Sequence, residues 1–495
     1  MPAGWMIALL APPLLSVLAA YLVRPGSDSH FRLPAAGRRT IVLAALVTGT
    51  FAVLTVELWG AVGGLTAPVI GLTWLAALVV LGVAAALRWR RDGRPAPRTL
   101  AARRWARLRQ IWGTATRAER LLAVAVGGML GVELLVALLA EPNNVDSQTY
   151  HLPKVEHWVA QGDLQLWATA IHRQVTIPPG AEYLLLHLRL LTGGDALYNL
   201  VQWLAGVGCL LIVTRIVAQF GGGRRAQLIA AFVAGTTPMV VLQATSTQTD
   251  LVAAAWTGCV ATLALDGLRH RASIGTVLAL GAATGLTALT KTSGLLGAGP
   301  LLVLWGLGQL RLAGWLRRPG AVLRPGAVLR PGAVLRTGAA SLAILAVAGV
   351  VVGPFLARIT DEFGHPLGPP RLRESAPCSG TTLRRCSSTG CGWGTPRWTR
   401  RWRRCGPAPR RRSWRSPRRS GWTRRIRRSP STGPSSRCPP GTRTRTGSRS
   451  RSPVAWRWSP GWSRWPGPGW WPRPHRARSG RTPLRSRRRC CSTSR

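Results

Sequence analysis

Long apolar segments separated by short polar ones dominate the first 370 residues of the chain. A helix that crosses a lipid bilayer needs about 20 predominantly apolar residues, and ten segments approach that length. They lie at roughly 5–23, 40–60, 66–88, 120–140, 197–217, 226–243, 249–268, 273–290, 294–311 and 338–357. The pattern predicts an all-α fold, a polytopic transmembrane bundle of about ten spans. No Lys or Arg precedes the first segment, which favours a retained helix over a signal peptide.

The polar connections between these segments alternate in arginine content. The basic ones are 89–119, 312–337 and the shorter turns that carry Arg38 with Arg39, Arg224 with Arg225, and Arg269 with Arg271. The alternate connections have almost no Arg or Lys. Because basic loops stay in the cytoplasm, this distribution places the N-terminus and the long 141–196 connection on the outer face.

The 141–196 loop carries most of the candidate chemistry. Its stretch "NNVDSQTYHLPKVEHW" (143–158) gathers acidic, basic and aromatic side chains directly after the fourth span. Leu152, Val155 and Val159 recur at helical spacing, and "IPPGAEYLLLHLRLL" (177–191) is too short and too charged for a span. We therefore predict short helices in this outer loop, the second of them half-buried and returning toward the membrane.

Composition divides the chain near residue 370. Of the 66 Lys and Arg and the 16 Asp and Glu, residues 1–370 hold 31 and 15, a net charge of +16; residues 371–495 hold 35 and one, a net charge of +34, which completes the total of +50. Only seven residues after position 370 lack a codon with G or C in its second position: Leu372, Glu374, Leu383, Ile426, Val454, His475 and Leu484. A GC-rich gene translated out of frame yields this composition. The segment 371–495 is therefore interpreted as an out-of-frame, disordered tail rather than a nucleic-acid-binding or cysteine-rich domain.

A second unusual segment lies within the 312–337 loop. The sequence "RPGAVLRPGAVLRPGAVLR" (318–336) repeats six residues without a change. Its Pro-Gly pairs predict a flexible or turn-rich linker.

The order of the polar stretches between about 120 and 370 resembles the GT-C superfamily of membrane glycosyltransferases, which includes protein O-mannosyltransferases and bacterial enzymes that use polyprenyl-phosphate sugars. An Asp just past a span is followed by "TYHLPKVEHW", "PPG" (178–180), an outer "QATSTQTD" (243–250) and "GLTALTKTSGLL" (285–296). Residues 1–119, with three spans and a basic cytoplasmic loop, fall outside the resemblance and have no assigned role.

The resemblance implies transfer of a sugar from a polyprenyl-phosphate carrier to an acceptor hydroxyl on the outer face of a multi-pass protein, in the plasma membrane of a bacterium. Asp146 is then the general base. Cationic and hydrogen-bonding groups bind the substrates and stabilise the leaving phosphate. The candidates are Tyr150, His151, Lys154, Glu156, His157, Arg173, Gln248, Asp250 and Lys291. The implied partners are membrane lipids, the lipid-phosphate sugar donor and an acceptor of unknown class, with no nucleic acid; the histidines show no metal-site spacing, and the need for a divalent metal stays open.

Several of these residues have simpler explanations. Asp146 also fits a surface or loop-capping carboxylate, Asp250 a helix N-cap, and Lys291 a lysine that extends from a helix end to the headgroups. The alternative function is a transporter or lipid-binding membrane protein whose outer loop forms a vestibule. Transporters often contain paired, broken helices, and the sequence shows no such pairing.

Overall fold

The structure is a computed structural model, and it describes residues 2–24, 33–93, 97–313 and 331–369. All regular secondary structure in these ranges is helical, with no strand among them. The helices are α1 (Pro2–Val23), α2 (Ala36–Ala61), α3 (Ala67–Arg91), α4 (Pro97–Gly113), α5 (Arg117–Leu139), α6 (Leu152–Gln161), α7 (Arg173–Thr176), α8 (Gly180–Thr192), α9 (Asn199–Gln219), α10 (Arg224–Gly235), α11 (Pro238–Ala244), α12 (Asp250–Gly267), α13 (Ile274–Thr290), α14 (Leu295–Leu312) and α15 (Pro331–Phe363). The predicted tail 371–495 lies outside the described residues.

Seven helices of the described chain are long and apolar enough to cross a membrane: α1, α2, α3, α5, α9, α14 with its preceding turn, and α15. The number rises to eight if α10 and α11, which meet at a bend of 71°, form one broken span. The helix α13 is apolar but has only 17 residues. The protein is therefore a multi-pass membrane protein whose described residues form an all-helical fold, as the hydrophobic pattern predicts.

Two connections predicted to be cytoplasmic loops contain helices. The 89–119 loop includes α4, and the last copy of the six-residue repeat forms the first turn of α15. The prediction of a turn-rich linker is thus wrong for residues 331–336. Pro331 begins the helix, where a missing N–H costs nothing, and the residues after it continue the apolar pattern. The earlier part of the repeat lies outside the described residues.

The core is built around the short helix α8, which packs against α1, α2, α3 and α13. Its His187 is buried; its Nδ1 accepts a hydrogen bond from the Trp74 indole at 3.2 Å, and its Nε2 donates to the Ala52 carbonyl at 2.9 Å. Burial lowers the pKa of His187 to about 4, so the ring is neutral and both nitrogens are satisfied. The first three helices, which have no role by sequence, hold α8 in place.

The polar contacts between helices gather at two ends of the bundle. At the first, called the arginine end, Arg24 pairs with Asp92, Arg38 with Gln227, Arg39 with Asp266 and Arg224 with Glu119. At the other, called the loop end, lie residues 141–196 and the turn between α2 and α3, joined by a hydrogen bond from the Leu65 amide to the Gly162 carbonyl at 3.0 Å.

A fully buried arginine stabilises the bundle near the arginine end. Arg215 of α9 donates to the Asp266 carboxylate of α12 at 2.7 Å, and the Gln219 amide donates to the other oxygen of that carboxylate at 2.7 Å. Asp266 is therefore paired inside the protein. Each of the two opposite charges compensates the cost of burying the other. The burial of this pair therefore needs no catalytic role to account for it.

Candidate functional site at the loop end

The stretch after α5 folds into a π-helical turn, Ser147–His151, that continues directly into α6. Pro153 stands in the first turn of α6, where a proline is well tolerated, and Gly162 ends the helix with a positive φ of 77°. The helix α6 presents Lys154, Val155 and Trp158 to the protein interior. The left-handed glycine explains why the helical pattern stops before Leu164.

A buried ion cluster joins α6 to α8. The Glu182 carboxylate of α8 accepts hydrogen bonds from Lys154 Nζ and from His151 Nδ1, each at 2.8 Å. Lys154 Nζ donates also to the Ile177 carbonyl at 2.8 Å. The side chains of Lys154 and Glu182 are 1% and 0% exposed. His151, Lys154 and Glu182 are called the buried cluster below.

Opposite effects act on the ionisable groups of the buried cluster. Burial raises the pKa of Glu182, but the charges of Lys154 and His151 outweigh burial and lower that pKa to about 2. Burial lowers the pKa of Lys154, and the adjacent Glu182 carboxylate counteracts the shift. At neutral pH the carboxylate is ionised and its partners hold it. His151 and Lys154, predicted to bind substrate, are therefore engaged with Glu182 in the interior.

A second buried network connects α8 to two long helices. The Tyr183 hydroxyl donates to Glu57 of α2 at 2.7 Å, and Arg358 of α15 binds the same carboxylate with two nitrogens, at 2.6 and 2.9 Å. Arg358 also donates to the Tyr183 hydroxyl at 2.8 Å. A bidentate pair of this kind fixes geometry strongly. It ties the loop end to α2 and α15.

A narrow cleft that is partly open to solvent lies between the two networks. It is lined by Lys154, Trp158, Leu164, Leu166, Trp167, Gln174, Val175, Ile177, Pro179, Tyr183, Phe355 and Arg358. The charged atoms on its walls are already paired with carboxylates. The cleft therefore offers apolar surface rather than free charge.

Asp146 stands on a different, more accessible side of the same segment. It precedes the π-helical turn and is only partly buried, close to Tyr150. Burial, together with the neighbouring Asp146 carboxylate, raises the pKa of Tyr150 to about 12, so the phenol keeps its proton. The exposed guanidinium of Arg173 lies 5.8 Å from the centre of the Tyr150 ring. The Asp146 carboxylate and the Arg173 guanidinium thus both lie near the buried Tyr150 side chain.

Two more of the predicted stretches meet this segment. The side-chain hydroxyls of Ser147 and Thr247 are hydrogen bonded to each other, and the Gln248 amide donates to Asn144 at 3.5 Å. Asp250, the first residue of α12, forms an ion pair with Lys291 at the end of α13. The side chains of Lys291 and Asp250 are 46% and 40% exposed.

The structure thus brings together the polar stretches around 143–151, 243–250 and 291. The accessible residues among them, together with the nearby Arg173, are called the exposed edge below: Asp146, Arg173, Gln248, Asp250 and Lys291. Tyr150, which the sequence predicts to bind substrate, is instead buried beside this edge and only 8% exposed.

Two predicted residues take part in other contacts. Glu156 forms a bidentate ion pair with Arg189 of α8, at 2.7 and 3.0 Å. The His157 ring stacks on Trp167 with ring centres 4.3 Å apart. Both contacts hold α6 against neighbouring segments, so neither residue belongs to the exposed edge.

Four buried residues, Glu182, Tyr183, Glu57 and Arg358, were not among the predicted site residues. Glu182 is the one acidic residue of the mostly apolar helix α8, and an acidic group among apolar residues is itself a signal of a buried partner. No comparable signal joins Glu57 to Arg358, because 300 residues separate them in the chain. Among the described residues, no cluster of three or more His, Cys, Asp or Glu side chains has an arrangement suited to a metal ion.

Comparison with known proteins identifies no relative. No family model, no curated protein and no solved structure matches the chain. The function is therefore inferred from the site itself.

Proposed function

We propose that the protein transfers a sugar from a polyprenyl-phosphate carrier to an acceptor hydroxyl at the loop end. The observation that supports this proposal is that the stretch carrying Asp146 meets the 243–250 segment, where Gln248 donates to Asn144 and Thr247 is hydrogen bonded to Ser147. Arg173 and the pair of Lys291 with Asp250 add cationic groups to the exposed edge. Acid, base and hydrogen-bonding groups are the equipment that transfer from a phosphate ester requires.

In the proposed reaction Asp146 accepts the proton of the acceptor hydroxyl. The acceptor oxygen forms a bond to the anomeric carbon of the donor sugar. The bond from that carbon to the phosphate oxygen breaks, and the polyprenyl phosphate leaves with the electron pair. Lys291 binds the donor phosphate as a point charge, and Arg173 stabilises the charge that develops on this phosphate as it leaves.

Outer-face placement of the exposed edge is part of this proposal. The arginine end collects the basic connections, and the loop end holds the connections that are nearly free of Arg and Lys. We infer that the loop end faces outward and that the helices cross about ten times, with α12, α13 and the bent α10–α11 pair included. The membrane is then the plasma membrane of a bacterium.

Accessibility of single cysteines to a membrane-impermeant reagent tests this topology. Gln161→Cys in α6 should be labelled from outside intact cells, and Arg107→Cys in α4 should be labelled only after the cells are opened. The reverse pattern would exclude an outward-facing loop end.

A transport function is the second candidate, and the bent α10–α11 pair favours it. Broken helices at a substrate site are typical of secondary transporters, where each of two related halves contributes one broken helix. The described residues contain one broken helix, the bent α10–α11 pair. Consumption of a polyprenyl-phosphate sugar by the purified protein in proteoliposomes separates the two candidates, because a transporter leaves the donor intact.

Substitution of Asp146 by Asn tests the catalytic role directly. Loss of a general base typically lowers the rate about 10²- to 10⁴-fold, whereas donor binding should persist because Asn removes a negative charge near the phosphate. Asp195→Asn is the matched control, since Asp195 is an exposed carboxylate of the same loop outside the exposed edge. Equal turnover by the Asp146 variant would direct attention to Glu156 and Asp163, the next carboxylates of the loop.

A further inference from the structure

The helix α4 combines positive charge with an exposed apolar face. Its sequence, "PRTLAARRWARLRQIWG", contains five arginines and no acidic residue. Trp105, Leu108 and Trp112 recur at the spacing of one helix face, and Ile111 lies beside them. These four side chains are 58%, 57%, 51% and 45% exposed, respectively. Large apolar side chains in water are unfavourable, so this face requires a cover.

No described helix packs along α4. Among the described side chains, the tertiary hydrogen bonds of α4 lie at its C-terminal end. There Arg120 donates to the carbonyls of Trp112 and Gly113, and Arg224 donates to that of Ile111. The contacts hold one end of the helix and leave the apolar face open. The described part of the protein therefore supplies no cover for that face.

The position of α4 in the chain sets its depth. It connects α3, which ends at Arg91, to α5, which begins at Arg117, and both of these helices are candidate membrane spans. Short connections at each end keep α4 near the surface where those spans leave the bilayer. The aromatic residues also interact with cations, since Arg109 lies 5.3 Å from the centre of the Trp105 ring.

We propose that α4 lies flat on the membrane at the arginine end, with its apolar face among the acyl chains and its arginines bound to anionic lipid headgroups. Basic amphipathic helices with Trp and Leu on one face bind interfaces in this way, and the attraction grows with the negative charge of the leaflet. The charge of α4 is complementary to acidic phospholipids. The helix thereby anchors the connection between α3 and α5 and couples the bundle to leaflet composition.

Amide hydrogen exchange of the full-length protein in lipid nanodiscs tests the proposal. Residues 97–113 should exchange more slowly in nanodiscs of phosphatidylcholine with phosphatidylglycerol than in phosphatidylcholine alone. High salt should reduce the difference, because ions screen charges at an exposed surface.

Two variants separate charge from the particular arginine side chain. Arg107→Gln with Arg109→Gln should speed exchange of α4 on anionic nanodiscs by about fivefold for each arginine removed. Arg107→Lys with Arg109→Lys keeps the charge and should behave as the unmodified protein. Exchange in α2 reports whether each variant is folded. If the glutamine variant is not folded, the unmodified protein still tests the proposal through the two lipid compositions and the two salt concentrations.

Two outcomes would overturn the proposal. Equal protection on zwitterionic and anionic nanodiscs would show that anionic headgroups are not recognised. Protection that follows the number of protein copies per nanodisc, rather than lipid composition, would show that a second copy of the chain covers the apolar face.

Discussion

The buried cluster and the exposed edge both include residues of the 143–158 stretch, yet they use their charges differently. Lys154 lies eight residues after Asp146 and is 1% exposed, with its ammonium held by Glu182 and a backbone carbonyl. Lys291, the other lysine of the protein, forms an ion pair that is nearly half exposed. The residue types at the two sites are alike. Burial decides which of them hold the fold together and which remain accessible to a substrate.

The largest expected difference between the two sites appears when the two lysines are replaced in the same way. Lys154→Met leaves Glu182 buried without its cation, and breaking a buried pair from one side costs about 3–5 kcal/mol. Lys291→Met should change the free energy of unfolding by about 1 kcal/mol or less, as is usual for exposed pairs. Unfolding titrations in mixed micelles compare the two variants. Similar stability losses would mean that burial does not distinguish the sites.

The pH dependence of stability gives a smaller effect of the same origin. The pKa of Glu182 is about 2 in the folded protein, against an ordinary value of 4.5. Ionised Glu182 therefore stabilises the fold fully above about pH 4.5, and that stabilisation is lost as the pH falls toward 2. Its size is on the order of 3 kcal/mol.

The Glu182→Gln variant isolates this contribution from the other carboxylates. Its free energy of unfolding should depend less on pH between about 4.5 and 2 than that of the unmodified protein. Glu156→Gln is the control, because Glu156 is paired with Arg189 at the surface and its carboxylate is half exposed. If Glu182→Gln kept the full acid dependence, the carboxylate would not be the ion that Lys154 and His151 hold.

The hydrophobic pattern predicts helix positions well because the apolar residues that let a helix cross the membrane are contiguous in the sequence. The predicted segment 40–60 lies inside α2, and 66–88 begins one residue before α3 and otherwise lies inside it. The number of crossings is less secure, since α12, α13 and the bent α10–α11 pair do not pass as single long apolar spans. In these helices, packing against neighbours replaces some of the apolar length that a lipid-exposed span needs.

The pairing of polar groups depends on tertiary contacts that no local pattern contains. The stretch 143–158 is recognisable as chemically rich, but its sequence does not tell that Lys154 turns inward while Asp146 stays accessible. That division follows from the π-helical turn between them and from α8, which presents Glu182 to α6. The role of α1, α2 and α3 around α8 was likewise beyond sequence reasoning, because it depends on contacts such as that of Trp74 with His187.

The smallest expected change in stability, that of Lys291→Met, accompanies a specific change in function. In the proposed reaction Lys291 binds the donor phosphate as a point charge, and its pairing with Asp250 holds the ammonium at the end of α13. Removing one charge-assisted contact of about 1.5–3 kcal/mol should raise the donor concentration needed for half-maximal rate about 10- to 100-fold. The rate at saturating donor should change much less, because the contact is equally strong in the ground and transition states.

Asp250→Asn is the informative companion variant, because it frees the lysine from its carboxylate and should lower the donor requirement. Initial rates measured over a range of polyprenyl-phosphate sugar concentrations give both the donor requirement and the saturating rate of each variant. An unchanged donor requirement in both variants would leave Lys291 as a lysine that reaches the headgroup region without a role in binding the donor.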